Sequence, residues 1–227
     1  MISIFIPVRK GSKRVKNKNI RSVGKHKLGL LEIKLKQLKK LIKINSNKYN
    51  FEFVVSTDSK IVEEYCKKFN WIKVHKRKKA LSDDHSLQKL ITVVPKICNG
   101  EFILWTHVTS PLFTSKDYIS FLNVFFKKRT KKITSAFSAD IIQKFIYSST
   151  KGWLSHDIKK IKWPRSQDLK NLYILNSAAL IAHKKTFLND KNRLSKNAFP
   201  IITNNNAGFD IDTIKDFQRL KKLKIKF

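Results

Sequence analysis

The chain has 227 residues, 41% of them hydrophobic, and carries 49 Lys and Arg against 16 Asp and Glu, a formal net charge of +33. That is enough for one α/β domain with a real core and a small subdomain, and no apolar run is long enough to span a membrane. The charge fits either a polyanionic partner or lysine-rich compositional drift beside a small anionic ligand. Its even spread from Lys10 to Lys226, with no basic tail, favours the second.

In chain order, Ile2-Ser3-Ile4-Phe5-Ile6-Pro7-Val8 reads as a buried strand. It runs into Arg9-Lys10-Gly11-Ser12-Lys13-Arg14-Val15-Lys16-Asn17-Lys18-Asn19-Ile20, a loop with one glycine and six basic side chains. A strand that delivers a cationic loop to its C-terminal end is how α/β proteins hold phosphorylated ligands. Gly11 has no GKS or GKT after it and no GxG around it, which excludes the Walker and dinucleotide patterns. A phosphate here is gripped by side chains.

Leu31, Leu35, Leu38 and Ile42 mark one face of a helix. Phe51 to Ser56 predicts a second strand that ends at Thr57-Asp58-Ser59, and Ile61, Val62, Tyr65 and Phe69 line a helix. Trp71 to His75 is a short strand, and Leu87 to Val94 a helix stopped near Pro95 or Gly100. Phe102 to Trp105 is a further strand, followed by Thr109-Ser110-Pro111 and an amphipathic helix from Tyr118 to Phe126. Such alternation implies a parallel sheet with right-handed crossovers. Beyond it, Ile133 to Ser138, Phe145 to Ser148 and Tyr173 to Ala182 are strand-like, residues 151–172 are irregular, and a basic helix begins at Ile214.

Several groups can carry chemistry. Asp210 and Asp212, at i and i+2 of an extended segment, put two carboxylates on one face, a plausible Mg²⁺ site. Asp212 before Thr213 is equally a candidate helix N-cap. Thr57-Asp58 and Thr109-Ser110 sit at strand ends, where open sheets bind ligands, and His107 stands just before the latter. Arg165 is a candidate carboxylate clamp, or simply an exposed arginine. The histidines show no zinc spacing. Cys66 and Cys98 form no CxxC pair and read as buried thiols in a reducing compartment. Together with an N-terminus that is apolar before it is basic, this leads to the expectation of a cytoplasmic protein.

Taken in order, Ile6-Pro7-Val8-Arg9-Lys10-Gly11-Ser12-Lys13-Arg14 with Lys18-Asn19-Ile20, Val55-Ser56-Thr57-Asp58, Ala80-Leu81-Ser82-Asp83-Asp84, Thr109-Ser110-Pro111-Leu112, Asn176-Ser177-Ala178 and Phe209-Asp210-Ile211-Asp212-Thr213 resemble the acylneuraminate cytidylyltransferase family, the CMP-sialic and CMP-nonulosonic acid synthetases, and more distantly the CMP-Kdo synthetases. The resemblance implies an α/β, Rossmann-like nucleotidyltransferase fold, a mostly parallel sheet flanked by helices, in a single domain. A small dimerisation subdomain, about residues 138–172, would serve a homodimer. It implies that CTP and a nonulosonic acid give CMP-sugar acid and pyrophosphate. Arg9, Gly11, Ser12, Lys13, Lys18, Asn19, Arg77 and Ser82 would bind the nucleotide, and Asp210 and Asp212 would hold Mg²⁺. His107, Thr109, Ser110, Lys144, Arg165 and Asn176 would bind the sugar acid. Arg9, Lys18 and Asp212 would act in catalysis. The family commonly has glutamine where His107 stands, arginine near Ile174 and glycine where Ser177 stands, departures that bear on the sugar. An inactive relative is one alternative. A nucleic-acid-binding module is another, and the core periodicity of the aromatics argues against it.

Overall fold

The computed structural model describes residues 1–82, 86–223 and 225. Asp83 and Asp84 of the matched segment that begins at Ala80 lie outside the described residues. The elements are, in order, β1 (Ile2–Val8), α1 (Gly29–Ile44), β2 (Phe51–Thr57), α2 (Lys60–Lys67), β3 (Ile72–Lys76), α3 (Leu87–Ile97), β4 (Phe102–Trp105), α4 (Ser115–Lys128) and β5 (Ser135–Ile142). There follow β6 (Tyr147–Ser148), β7 (Gly152–Trp153), β8 (Leu172–His183), α5 (Lys184–Asn189), β9 (Phe199–Ile202) and α6 (Ile214–Lys222).

Seven strands form one sheet in the order β3-β2-β1-β4-β8-β5-β9. All run the same way except β8, which is antiparallel to both β4 and β5. Both faces are covered, so β1 is apolar almost throughout. Ile4 and Ile6 face one core with α1 and α4, while Phe5 faces a second with Val54, Trp105 and the Leu90, Ile91 and Val94 side of α3. Each such fully buried side chain contributes roughly 1.5–3 kcal/mol of transfer free energy.

The sheet is mostly parallel and flanked by helices, as anticipated, with β8 as its antiparallel member. An apolar run reads the same in either direction, and β8 enters from the C-terminal edge. The anticipated strand over Phe145 to Ser148 shrinks to Tyr147–Ser148, paired with Gly152–Trp153 in a separate hairpin. Helix α3 continues through Pro95 to Ile97, because in the last turn a missing N–H costs one bond and no following turn. Opposite it, β5 and β8 slip register between Phe137 and Ala139. The slip is held by a polar chain. Ser138 Oγ donates to Asn176 Oδ1 at 2.6 Å, Asn176 Nδ2 to Thr203 Oγ1 at 3.0 Å and Thr203 Oγ1 to Asp140 Oδ1 at 2.8 Å. Ser177, next to Asn176, takes φ +61°.

Candidate active site

The C-terminal ends of β1, β2 and β4 meet the entering end of β8 at one edge of the sheet, around a pocket of about 670 Å³. The loop after β1 forms one wall. It is folded by its own turns: Lys18 N–H donates to the Val15 carbonyl at 3.1 Å, and Asn19 Nδ2 donates to the Arg9 carbonyl at 3.2 Å. At its outer side Lys10 N–H donates to Asp58 Oδ1 at 2.6 Å, tying the loop to the end of β2. Gly11 at φ +70° supplies the left-handed turn that a side chain would strain.

The opposite wall comes from the far end of the chain. Ile211 N–H donates to the Thr109 carbonyl at 2.8 Å, and Lys18 Nζ donates to the Ile211 carbonyl. Asp212 Oδ1 lies 3.0 Å from Arg14 and 3.3 Å from Lys18. Asp210 is different. Its Oδ1 is buried with no hydrogen-bond partner among the described residues. Burial raises its pKa, and the neighbouring Asp212 charge adds to that against the Thr109 hydrogen bond. The capping alternative for Asp212 is overturned, because Thr213 is the N-cap of α6 and closes a capping box with Asp216. Asp212 is thereby left to face Arg14 and Lys18.

Behind Thr109, the fully buried Lys34 of α1 donates to the Ser110 carbonyl and to Tyr118 Oη, both at 2.9 Å. Thr106 Oγ1 donates to the Ala178 carbonyl at 2.7 Å, so the Tyr118 hydroxyl donates to Thr106 Oγ1 at 2.6 Å. This relay binds α1, α4, β4 and β8 beneath the pocket floor. Burial pushes Lys34 down to about 7, opposed by the Asp117 charge. Arg77 is also buried. It donates through Nε to Ser56 Oγ at 3.2 Å and through Nη2 to the Ser56 carbonyl at 2.9 Å, and burial pushes it down to about 10.

Of the residues singled out in the sequence, the pocket brings together Arg9, Ser12, Lys13, Lys18, Asn19, Arg77, His107, Thr109, Asp210 and Asp212. Six lie elsewhere. Gly11 lines a separate small depression on the loop's flank, and Ser82 has a buried hydroxyl without a partner among the described residues. Ser110 is buried under Lys34. Asn176 is engaged in the β5–β8 slip. Lys144 is exposed, and Arg165 spends its fork on Asp168, at 2.8 and 3.3 Å. The pocket also contains Arg14, Trp105, Ser177, Leu87 and Leu90, which sequence reasoning did not assign. Arg14 stands within a matched segment and could have been found there.

A parallel-dominated sheet whose strand ends carry a cationic loop opposite paired carboxylates defines a Rossmann-like nucleotidyltransferase fold. The Cytidylyltransferase family model matches residues 3–225, and the chain belongs to that family. It is 29% identical over 178 residues to an N-acylneuraminate cytidylyltransferase of Streptococcus agalactiae serotype III (strain NEM316), a match over 73% of this chain and 41% of that protein. The chain therefore spans well under half the length of the curated relatives it matches. Among solved structures it is similar to a CMP:2-keto-3-deoxy-manno-octonic acid synthetase complexed with CTP, with TM-score 0.62 and 14% identity over 97% of this chain and 96% of that one. It is also similar to a 4-diphosphocytidyl-2C-methyl-D-erythritol synthase from Anaerococcus prevotii DSM 20548, with TM-score 0.63 and 12% identity over the same shares.

Proposed function

We propose that the protein transfers the cytidylyl group of CTP to a nonulosonic acid, a sialic-type sugar acid, and releases pyrophosphate. The observation that carries this is the joining, in one pocket, of the β1 cation loop with Asp210 and Asp212. Arg9, Lys13 and Lys18 would neutralise the triphosphate, and their charge matters most as negative charge moves onto the leaving pyrophosphate. Lys18 has two tasks, since it also holds the Ile211 carbonyl and so fixes where the two carboxylates stand.

The residues fit Mg²⁺. Asp210 offers a buried oxygen with no partner among the described residues, and Asp212 is held by the cations Arg14 and Lys18. No group of three or more His, Cys, Asp or Glu suited to a metal occurs among the described residues. Two carboxylates plus substrate phosphates are what Mg²⁺ commonly accepts. When bound, the ion would supply positive charge at the α-phosphate and acidify the attacking hydroxyl. Arg14, at 3.0 Å from Asp212, orients that carboxylate beforehand.

The segment between β5 and β8 supports a homodimer, because it exposes Phe145, Tyr147, Ile158, Ile161 and Trp163 together. No helix among the described residues is long and apolar enough to cross a membrane. The two free, buried cysteines support a reducing, cytoplasmic location. The test is pyrophosphate release with CTP, Mg²⁺ and a panel of nonulosonic acids including Kdo. CTP-dependent release with a sialic-type acid is expected. Release with Kdo alone would move the substrate to that class, and no release, joined to salt-sensitive nucleic-acid binding, would overturn the reading.

A further inference from the structure

Trp105 ends β4, and its indole N–H donates to Nε2 of His107 at 2.9 Å. That bond occupies the Nε2 lone pair, so the ring proton of a neutral imidazole resides on Nδ1. His107 lines the pocket, and its Nδ1 has no hydrogen-bond partner among the described residues. The indole is itself fixed. It packs on Phe5 with ring centroids 4.7 Å apart, and the Arg193 guanidinium lies 5.1 Å from its centroid. Arg193 makes no ion pair among the described residues, so its positive charge acts undiminished on the imidazole nearby. Burial first, then Arg193, Lys18 and Lys34, push His107 down to about 3, against the weaker opposite pull of Asp212. The ring is thus neutral through the physiological range, with one nitrogen taken and the other a donor.

We propose that Trp105 is a positioning residue that fixes His107 as a single-tautomer N–H donor, so that this wall of the pocket selects an acceptor oxygen on the second substrate. An amide side chain at the same place could donate or accept. This imidazole can only donate, so a ligand that presents a hydroxyl, carbonyl or carboxylate oxygen is taken and one that presents an ammonium is refused. The proposal rests on the function proposed above for the identity of that substrate, and not for the state of the ring.

The experiment is ¹⁵N spectroscopy of histidine-labelled protein between about pH 5 and 8, together with steady-state kinetics. The unaltered chain is expected to show His107 as one neutral tautomer, protonated at Nδ1, across that range. Trp105→Phe keeps an aromatic ring and removes the indole donor. Both tautomers are then expected, with the KM of the sugar acid raised roughly tenfold and that of CTP unchanged. His107→Gln, which still donates, is expected to retain most second-substrate binding, while His107→Phe loses it. A protonated or mixed-tautomer ring in the unaltered chain overturns the proposal, as does a Trp105→Phe protein with unchanged tautomer and KM. Should Trp105→Phe not fold, the unaltered spectrum and the Gln–Phe pair at His107 decide. If the unaltered protein turns over no sugar acid, the proposed function falls, and the ring's tautomer still decides this proposal.

Discussion

The pocket and the segment between β5 and β8 adjoin the same edge of the sheet, yet they leave opposite needs unmet. In the pocket most apolar side chains are buried, Leu87 excepted, and particular polar atoms are unmet. Asp210 Oδ1 and the Nδ1 of His107 lack partners among the described residues, and cations outnumber carboxylates. In the neighbouring segment the polar groups are largely settled. Leu154 N–H reaches the Ile146 carbonyl at 2.9 Å, Lys170 N–H the Ser155 carbonyl at 2.9 Å, and Arg165 its Asp168. What is unmet there is apolar burial. Phe145, Trp153, His156 and Trp163 gather into a small aromatic nucleus, but Trp163 remains 71% exposed and Tyr147 63%. Unsatisfied hydrogen-bonding capacity invites a small polar ligand, and unburied rings invite another protein surface.

Four changes test that contrast. Asp212→Asn should lower turnover by roughly 10³-fold with little change in melting temperature, since the group faces charge that develops in the reaction and supports no core packing. Near-normal steady-state rates would remove it from the proposed metal site. Trp163→Asp should raise the dissociation constant of the proposed dimer roughly 10²-fold by sedimentation, and association unchanged in that variant would show that the exposed rings serve something else.

Lys34→Met separates the pocket floor from its buried clamp. The folded pKa of Lys34 is about 7 against 10.5 for the ordinary group. Between those values the unfolded chain binds a proton that the folded chain does not, so this residue makes stability rise with pH from about 7 to 10.5. Urea unfolding of the unaltered protein should gain about 2 kcal/mol relative to Lys34→Met between roughly pH 7 and pH 9. Parallel pH curves would mean that the lysine stays charged in the fold. The smallest effect is expected from Thr213→Ala, a loss of about 1 kcal/mol from the α6 cap, read as a lower urea midpoint with activity retained. A large fall in activity would couple the cap to Asp212.

The parts of this layout that sequence exposes are those with a local cause. β1 is an apolar run broken only by Ser3, β4 is apolar throughout, the loop after β1 is cationic, and the i, i+2 carboxylates are visible as letters. The Thr213 cap was equally visible, because Thr followed three residues later by Asp216 is a capping-box pattern. Other features have no local cause. The direction of β8 depends on where the chain re-enters the sheet, and the φ +61° of Ser177 on a register slip set by β5. The separation of Thr109, in the pocket, from Asn176, in the slip, depends on both. The link of Trp105 to His107 needs two side chains to turn toward one another, and no period in the sequence encodes that.

The bond between Lys18 and the Ile211 carbonyl spans 193 positions of chain. At ribosomal speeds of about 5–20 residues per second, that separation corresponds to roughly 10–40 s of synthesis. Throughout that interval the nascent polypeptide displays its cationic loop without the carboxylates that later face it. A newly made chain is therefore, for a time, a polycation beside ribosomal RNA, and only completion of its last quarter closes the charge into a pocket.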